Sequence, residues 1–522
     1  MLHYMHRILL KTSGCVLLLL LFGGLVTPVV HAAGQAKHVV VVVWDGMRPD
    51  FVSPENTPNL WKLAADGVTF ANHHPVYLSA TEVNATAIAT GGYPGNSGVI
   101  ANKEYRPEID VRKMIHMESV DSIRKGDEVT GGHYIHMKTT IEALQQAGLT
   151  TAVAGSKPVA VLHDRYERPE TAKNRTFFAG NSLPKGFSSE RVRIQGAFPS
   201  EGATSPTRND WTTRALIEGM WKDGVPAYTV LWMNEPDWSQ HKSGPGSPMA
   251  MAAIKNADEN LGRVLAALKE KGELERTDIM LVSDHGFSTI GERINLAESL
   301  KKGGFKTLTE FKGNPEKDEI MVVSNGGSYL FYVIGHDKGT ICQLVEYLQK
   351  QAYSGVVFTR NPMPGTFTFA QARLDSPTAP DVLLSMHWTD ETNSFGTKGM
   401  LTSGVYDYGD RGMHVSLSKY DMHNTLIAAG PDFRRGVVSQ LPSGNMDIAP
   451  TALWILGVKK PMDGRVLSEG MIGSAAKLKS YEPRRLEASA KVGETTWHQY
   501  LNFTEVNGET YLDEGNGWVG SN

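Results

Sequence analysis

Three apolar runs in this chain each lead into acidic residues, and this pattern predicts the fold. The runs and the acids that follow them are residues 38–44 with Asp45, residues 227–233 with Asp237, and residues 278–282 with Asp284. Continuous apolar runs of this length are typical of parallel strands that are buried on both faces. Open α/β sheets collect ligands at the carboxyl ends of such strands. We therefore expect the three carboxylates to meet at one edge of a single sheet.

Helical patterns lie between the apolar runs. They cover residues 57–66, 139–147, 211–223 and 248–271. Alternation of strands and helices predicts an α/β fold with a mostly parallel central sheet sandwiched by helices. A further strand at residues 424–429, and a helix that Asp447 would cap and that runs through Leu456, return the chain to this core.

Two internal stretches interrupt the alternation, and a third stretch extends it at the C-terminus. Residues 160–210 are rich in Gly, Pro, Arg and Ser and are expected to form an insertion. Residues 295–405 contain short β-like runs and are expected to form an inserted antiparallel cap. Together these observations predict a catalytic domain over residues 33–475. Residues 476–522 would then be a C-terminal extension with a β-hairpin, because Asn507-Gly508 separates two β-like runs.

The first 32 residues have the pattern of a secretory signal peptide. Arg7 and Lys11 precede an apolar stretch at residues 16–26, and Val30-His31-Ala32 offers a cleavage site of small residues. A retained membrane anchor is the alternative, although the stretch is short for a membrane span. Cleavage would leave Cys342 as the single thiol, with no internal disulfide and no stable membrane span. This combination favours a bacterial protein that is periplasmic or secreted.

Composition and charge narrow the classes of partner. The 522-residue chain carries 52 basic and 56 acidic residues, a formal net charge of −4. A protein that coats a nucleic-acid polymer normally presents a basic face, so such a partner is not expected. The apolar fraction of 41% is enough for a large core, while the oligomeric state stays open.

Six residues of metal-ligand type and one threonine form the candidate site. They are Asp45, Thr81, Asp237, His241, Asp284, His285 and His414. Two divalent ions need about three protein ligands each, together with a nucleophile, and this set supplies both. Each residue taken alone has an ordinary explanation: Thr81 could cap the helix predicted after it, and the histidines could lie on surface turns. For Asp284 and His285 to reach the same ion the chain must kink there, which Gly286 would permit.

The segments around these residues resemble the alkaline phosphatase superfamily, specifically its nucleotide pyrophosphatase/phosphodiesterase branch. The matching segments are residues 42–48, 78–94, 98–102, 234–237, 283–286 and 412–414. They follow one another in the order found in the family and cover roughly residues 38–460. The resemblance implies an alkaline phosphatase-like fold and metal-dependent hydrolysis of phosphoric esters.

The resemblance also implies specific roles for the candidate residues. One zinc ion would be held by Asp237, His241 and His414. A second zinc ion would be held by Asp45, Asp284 and His285, with Thr81 as its fourth ligand and as the nucleophile that forms a phosphothreonine. Asn102 would donate a hydrogen bond to a phosphoryl oxygen, whereas Asn84 matches an asparagine of the family that does not contact phosphate.

Several positions depart from the family pattern. Val83 stands where proline is common, Gln240 precedes His241 where glycine is frequent, and Val415 follows His414 where glycine is usual. None of these changes removes a ligand, but each affects the shape of the pocket. The nucleophile motif of the sulfatases, Cys/Ser-x-Pro-x-Arg, is absent around Thr81, which argues against a sulfatase.

Three functions from different classes follow from this reasoning. The leading one is a phosphodiesterase or nucleotide pyrophosphatase that acts on a small-molecule phosphate ester. The second is a phosphomonoesterase or phosphonate hydrolase that uses the same site, and the third is a non-catalytic binding protein. Lys157 is a candidate contact for the extra charge of a monoester, but Val159 stands where some monoesterases carry arginine, which favours the diesterase. Tyr77, His73 and His74 could line a leaving-group slot or could pack in the core.

Overall fold

The structure, a computed structural model, describes residues 34–200, 205–404, 409–473 and 481–521. The predicted leader, residues 1–32, lies outside the described residues. A nine-stranded sheet forms the centre of the molecule. Its order is Val437–Ser439, Val68–Phe70, Leu426–Ala429, Thr277–Val282, His38–Trp44, Tyr228–Met233, Thr151–Gly155, Arg175–Phe178 and Asn181–Leu183. Two strands, Leu426–Ala429 and Asn181–Leu183, run antiparallel to their neighbours, so the sheet is mostly parallel, as predicted.

The His38–Trp44 strand shows why its sequence is a run of valines. It lies between two parallel neighbours, and the side chains from Val39 to Val43 are fully buried. Because side chains alternate along a strand, Val39 and Val43 pack into the core on one face while Val40 packs into the core on the other. Burial on both faces therefore requires an apolar residue at every position.

Helices cover both faces of the central sheet. On one face they are Thr81–Thr90, Val120–Thr130, Thr140–Gln146 and Ile448–Ile455. On the other face they are Pro58–Ala65, Lys185–Gln195, Ser205–Arg214 with its π-helical continuation Ala215–Met220, and Pro248–Glu270. None of the helices in the described ranges combines the length and apolarity that crossing a bilayer requires.

Residues 160–210, expected to be an insertion, instead extend the central sheet. They supply the strands Arg175–Phe178 and Asn181–Leu183 and the helix Lys185–Gln195. Phe177 and Phe178 are buried on opposite faces of the sheet. Strands of four and three residues are too short to produce a clear apolar run, and the polar loops around them dominate the local composition.

Residues 295–405 contain the expected cap, whose main sheet is largely antiparallel. Its strand order is Thr307–Leu308, Ile320–Ser324, Ser328–Val333, Val382–Met386, Ser354–Thr359 and Phe367–Thr368. The three inner pairs are antiparallel. The helices Leu296–Lys302 and Lys338–Leu348 pack against this sheet. A four-stranded sheet joins the cap to the core through the strands Trp388–Thr392, Lys398–Gly404, Ser288–Ile294 and Gly412–Met413.

The C-terminal residues form the predicted hairpin within a larger, three-stranded antiparallel sheet. Its strands are Glu482–Val492, Thr495–Val506 and Glu509–Ser521. Asn507 and Gly508 have φ angles of 55° and 102°, and two positive φ angles in succession are what a tight type I′ hairpin turn requires. Leu501 and Tyr511 pack into the same apolar cluster as Phe358 of the cap. The C-terminal sheet is therefore part of the molecule's core.

Candidate active site

The central strands bring the three predicted carboxylates to one edge of the sheet. Asp45 directly follows its strand, Asp284 lies two residues beyond the neighbouring strand, and Asp237 begins the helix Asp237–Ser243 shortly after the third. The three strands are adjacent and parallel, so their carboxyl ends meet. All three carboxylates are buried, which makes uncompensated negative charge at this edge costly.

The candidate ligands fall into two groups of three residues. Asp237, His241 and His414 form one group, and Asp45, Asp284 and His285 form the other. In each group, one potential ligand atom from every residue lies within 4.8 Å of those of the other two. These are the same two sets that the sequence resemblance implies.

The distances between ligand atoms suit tetrahedral coordination. Asp237 Oδ1 lies 3.2 Å from His241 Nε2 and 3.6 Å from His414 Nε2. In the second group, His285 Nε2 lies 3.2 Å from Asp284 Oδ2 and 3.4 Å from Asp45 Oδ1. Metal–ligand bonds of about 2.0–2.2 Å at tetrahedral angles place ligand atoms about 3.3–3.6 Å apart. Both groups therefore have room for one ion of this kind.

Backbone carbonyls fix the orientation of all three histidine rings. Nδ1 of His241 faces Gly412 O at 2.9 Å, Nδ1 of His285 faces Gly286 O at 2.9 Å, and Nδ1 of His414 faces Ser79 O at 2.8 Å. A carbonyl oxygen can only accept, so each Nδ1 carries the hydrogen. In the neutral ring each Nε2 then directs its lone pair toward the carboxylates, as in metal-binding histidines whose other nitrogen donates to a carbonyl.

Three carboxylate oxygens at this site lack a hydrogen-bond donor. Asp45 Oδ1, Asp237 Oδ1 and Asp284 Oδ2 are buried and have no such partner. Buried polar atoms in folded proteins are almost always paired. These three oxygens are the ones that face the Nε2 atoms, so a divalent cation in each group would satisfy them. The residues present therefore fit a two-metal site.

Thr81 is the first residue of the helix Thr81–Thr90, and its side chain does not cap that helix. The cap position is occupied by Ala80, which has no side-chain hydrogen bond to offer. The hydroxyl is instead directed at the ligand groups, with Oγ1 3.2 Å from His285 Nε2 and 3.5 Å from Lys157 Nζ. The location at a helix N-terminus favours negative charge on this oxygen.

Two asparagines near Thr81 have different surroundings. Asn102 lines the cavity in front of Thr81, and its Oδ1 accepts a hydrogen bond from the Glu82 backbone N–H at 3.0 Å. This contact leaves the amide group of Asn102 as a donor within the cavity. Asn84 is fully buried and donates to the carbonyls of Val76, Leu78 and Ala80, so it braces the loop that precedes the nucleophile.

Lys157 lies between the two ligand groups. Its Nζ donates to Asp45 Oδ2 at 2.9 Å and to Asp237 Oδ2 at 3.0 Å. Burial opposes its charge, but these two carboxylates raise the pKa of Lys157 well above its ordinary value. Lys157 follows the strand Thr151–Gly155, an apolar run ending in polar residues, which is the same signal that revealed the other strand ends.

The charges in the site strongly perturb one another. Burial opposes ionisation of Asp237, but Lys157 and His241 hold its pKa well below the ordinary value. Burial and the charge of Asp45 raise the pKa of Asp284 well above its ordinary value. Burial favours neutral His285, but Asp284 and Asp45 raise its pKa to about 9. The second group thus attracts positive charge strongly, and protons and metal ions compete for it.

A cavity of about 380 Å³ opens over Thr81 and the ligand group of Asp237, His241 and His414. Its apolar lining residues include Trp238, Met413 and Val415, and the acids Glu82 and Glu118 line it as well. Burial and the charge of Glu118 raise the pKa of Glu82 well above its ordinary value. The sequence reasoning did not identify Trp238 or the two glutamates as cavity residues, although Trp238 and Glu82 directly follow the predicted site residues Asp237 and Thr81.

Tyr77 does not line this cavity, which corrects the expected substrate contact. Its side chain is buried, its hydroxyl hydrogen-bonds Ser328 Oγ at 2.9 Å, and its ring packs against Phe358. Tyr77 is close to Thr81 in sequence, but the chain turns between the two residues, so the Tyr77 side chain does not reach the cavity. His73 is likewise buried and is paired with Ser443 and Asn445.

The backbone restricts which residues fit at two positions beside the ligands, 415 and 286. Val415 has a φ of 76°, a left-handed conformation that is unfavourable for a β-branched residue and explains why glycine is usual there. Gly286 is needed for a different reason from the one expected: a Cβ at this position would lie 2.0 Å from Tyr420 O. The close approach of that backbone, and not a positive φ, requires glycine after His285.

Comparison with known proteins identifies the family. Residues 39–413 match the family model described as type I phosphodiesterase / nucleotide pyrophosphatase. The chain belongs to this family. Membership confirms the resemblance found in the sequence and places the chain among hydrolases that act on phosphoric esters.

Relatives and solved structures agree with the assignment. Bis(5'-adenosyl)-triphosphatase enpp4 of Mus musculus is 22% identical over 459 residues, which are 87% of this chain and 85% of the relative. Ectonucleotide pyrophosphatase/phosphodiesterase family member 7 of Homo sapiens is 24% identical over 419 residues, 78% of this chain and 77% of the relative.

Among solved structures, human ectonucleotide pyrophosphatase/phosphodiesterase 5 superimposes with a TM-score of 0.58 at 17% identity. The match covers 84% of this chain and 100% of that one. An inactive form of the murine protein in complex with AMP gives a TM-score of 0.58 at 18% identity, covering 83% of this chain and 100% of that one. The fold predicted from the sequence is confirmed.

Proposed function

We propose that this chain is an exported phosphodiesterase/nucleotide pyrophosphatase that holds two zinc ions and uses Thr81 as its nucleophile. One observation carries the proposal: the Thr81 hydroxyl lies 3.2 Å from His285 Nε2, beside ligand groups in which one oxygen of each carboxylate is buried without a hydrogen-bond partner. Imidazole and carboxylate ligands at this spacing favour zinc over magnesium or calcium, which prefer oxygen ligands.

The residues of the site divide the reaction among them. Bound zinc would lower the pKa of the Thr81 hydroxyl and offset the charge of the phosphoryl group. Thr81 Oγ1 attacks phosphorus, the bond to the leaving oxygen breaks on the opposite side, and a phosphothreonine results. Water then hydrolyses this intermediate, which returns Thr81 to its starting state. Asn102 donates a hydrogen bond to a phosphoryl oxygen throughout, which is the kind of preorganised contact that supplies most phosphoryl-transfer catalysis.

The cavity supports a nucleotide-like substrate. Trp238 lines it, and the cationic residues Lys103 and Arg208 line it as well. An aromatic ring suits a nucleobase, and cationic side chains suit a phosphate chain. One relative is named as a bis(5'-adenosyl)-triphosphatase, and one structural neighbour was solved with AMP. We therefore expect dinucleoside polyphosphates and nucleotide diesters to be turned over.

A phosphomonoesterase is the second candidate, and the position of Lys157 favours it. The Lys157 ammonium lies 3.5 Å from Thr81 Oγ1, so it is close to any phosphoryl group attached there. A monoester has one more negative charge than a diester and gains more from such a contact. The ammonium is also paired with two ligand carboxylates, which reduces the charge that it can offer to a substrate.

The deciding measurement is the ratio of kcat/KM for a p-nitrophenyl phosphodiester to kcat/KM for p-nitrophenyl phosphate, on zinc-loaded protein. A ratio well above one supports the diesterase, and a ratio well below one supports the monoesterase. Thr81→Ala should abolish turnover of the preferred substrate while zinc content stays equal to that of the wild type. Turnover that survives in Thr81→Ala would remove the nucleophile assignment. Zinc-loaded protein without activity on either ester would favour a phosphonate hydrolase or a binding protein.

Export is part of the proposal and rests on the sequence of the first 32 residues. Relatives named ectonucleotide pyrophosphatase/phosphodiesterase are consistent with action outside the cytoplasm. Expression of the full chain in a bacterium, followed by fractionation and N-terminal sequencing, would test it. A mature N-terminus near Ala33 in the periplasm or medium is the expected result, and an uncleaved chain in the membrane fraction would support a retained anchor.

A further inference from the structure

A third group of metal-ligand type lies outside the active site, where three distant segments meet. His74 comes from the short strand His73–His74, His423 precedes the strand Leu426–Ala429, and Asp513 lies on the last strand of the C-terminal sheet. One potential ligand atom from each residue lies within 4.8 Å of the other two. The group therefore joins the C-terminal sheet to the core of the catalytic domain.

The hydrogen bonds of His74 leave Nε2 as the ring nitrogen that faces Asn72 and Asp513. Nδ1 donates to Met422 O at 3.0 Å, so Nε2 of the neutral ring has a lone pair and no hydrogen. This Nε2 lies 2.9 Å from Asn72 Oδ1 and 3.3 Å from Asp513 Oδ1. The backbone carbonyl orients His74 in the same way that other carbonyls orient His241, His285 and His414.

A shared proton is one way to join these atoms, but burial disfavours it. Burial lowers the pKa of His74 to about 4. Burial and the nearby His74 ring lower the pKa of His423 to about 3. Both rings are therefore neutral at neutral pH, which is the form that binds metal. The spacing of 3.3 Å between His74 Nε2 and Asp513 Oδ1 fits one edge of a tetrahedral zinc site, about 3.3–3.6 Å long.

Solvent and ions can reach the group. A surface cavity of about 480 Å³ is lined by His423 and Asp513. Lys419, Arg484 and Arg485 also line it, but each is ion-paired: Lys419 with Asp390, Arg484 with Glu505 and Arg485 with Glu487. These pairs reduce the repulsion that a cation would meet on entry.

We propose that His74, His423 and Asp513 bind a divalent ion of the zinc type that fastens the C-terminal sheet to the catalytic core. Two imidazoles and one carboxylate supply three ligands, and the fourth position is open to Asn72 Oδ1 or to water from the cavity. The site is independent of the two ions proposed for catalysis, because it shares no residue with them.

The metal content of purified full-length variants, measured by mass spectrometry after zinc loading and dialysis, tests the proposal. A background of Asp237→Asn with Asp284→Asn weakens both catalytic groups and should retain one zinc ion per chain. Adding Asp513→Asn should remove that ion, and adding Glu514→Gln should not. Glu514 is the adjacent carboxylate, lines the same cavity and accepts hydrogen bonds from Tyr500 and Asn502, so it is a matched control outside the ligand group. If Asp513→Asn does not fold, His423→Gln replaces it.

Thermal unfolding gives a second readout that does not depend on activity. In the same background, zinc at about 100 times its Kd should raise Tm by about 2–5 °C, because the ion binds only the folded state. Asp513→Asn should abolish this shift, and Glu514→Gln should keep it. Zinc-saturated wild-type crystals should also show an anomalous peak between the three residues.

Three results would overturn the proposal. They are an absent anomalous peak, a catalytic background that holds no zinc, or a residual ion that Asp513→Asn leaves in place. The first two would mean that His74 and Asp513 are joined by a shared proton. Failure here leaves the proposed catalytic function untouched, because that function is tested by Thr81→Ala.

Discussion

Lys157 is the residue whose replacement best separates the two candidate functions. We predict that Lys157→Met lowers kcat/KM for p-nitrophenyl phosphate more than for a p-nitrophenyl phosphodiester. The ammonium lies 3.5 Å from Thr81 Oγ1, within direct reach of a phosphoryl group on that oxygen. The monoester carries one more negative charge than the diester and therefore loses more when the ammonium is removed.

The size of the effect follows from Coulomb's law. Two unit charges about 4 Å apart interact by about 4 kcal/mol at an effective dielectric constant near 20. The Lys157 side chain is 23% exposed and shares its charge with Asp45 and Asp237, so a quarter to a half of that energy is a reasonable expectation. This remainder of about 1–2 kcal/mol corresponds to a change of about 5–30-fold in the ratio of the two kcat/KM values.

The assay needs two controls. Zinc content has to be measured for Lys157→Met, because Lys157 also contacts the ligand carboxylates Asp45 and Asp237. Lys103→Met removes another positive charge that lines the cavity and should change the ratio less. If both esters lose activity equally in Lys157→Met while zinc is retained, the ammonium acts only by arranging the carboxylates, and the charge argument fails.

Three further predictions follow from contacts near the site and in the core. Asn102→Ala should lower kcat by about 100–1,000-fold with zinc retained, because a donor to the phosphoryl oxygen is lost; an unchanged kcat would exclude this role. Gly286→Ala should reduce zinc content and Tm, because its Cβ would lie 2.0 Å from Tyr420 O and would displace His285; full zinc retention would contradict this. Burial lowers the pKa of His163 to about 3. Below about pH 6.5 the unfolded chain therefore binds a proton at this residue, whereas the folded chain does not bind one until about pH 3. The free energy of unfolding consequently falls as pH drops from 6.5 toward 3. At pH 5 the proton bound by the unfolded chain lowers the free energy of unfolding by about 2 kcal/mol. Urea unfolding at pH 7 and pH 5 should show that His163→Leu removes this loss, whereas His133→Leu, at an exposed position, should not. Equal pH dependence in wild type and His163→Leu would refute the argument.

The sequence predicted the central strands because burial on both faces imposes a continuous apolar run. The same signal located Asp45, Asp237 and Asp284, since each follows such a run. Short strands gave no comparable signal: Arg175–Phe178 and Asn181–Leu183 lie at the end of the sheet and were expected to be an insertion. The first strand of the C-terminal sheet, Glu482–Val492, was also not predicted, because most of its side chains are exposed.

Side-chain direction was the property that the sequence could not supply. Tyr77 and Thr81 are four residues apart, yet the first is packed in the core while the second faces the cavity. Lys157 was only a candidate, because nothing in its local sequence shows that two carboxylates from other strands surround it. Asp447 occupies the cap position of its helix as predicted, but its side chain instead accepts from Gly444, Arg465 and Tyr511.

The backbone contacts of His241, His285 and His414 bear on how the substrate specificity of this protein can change. Gly412, Gly286 and Ser79 hold the rings through main-chain oxygens, so these contacts do not depend on the side chains that line the cavity. Substitutions at cavity-lining positions such as Trp238 and Val415 leave those oxygens available. The side chains of the cavity wall can therefore change, and with them the preferred substrate, while the three histidines keep their orientation.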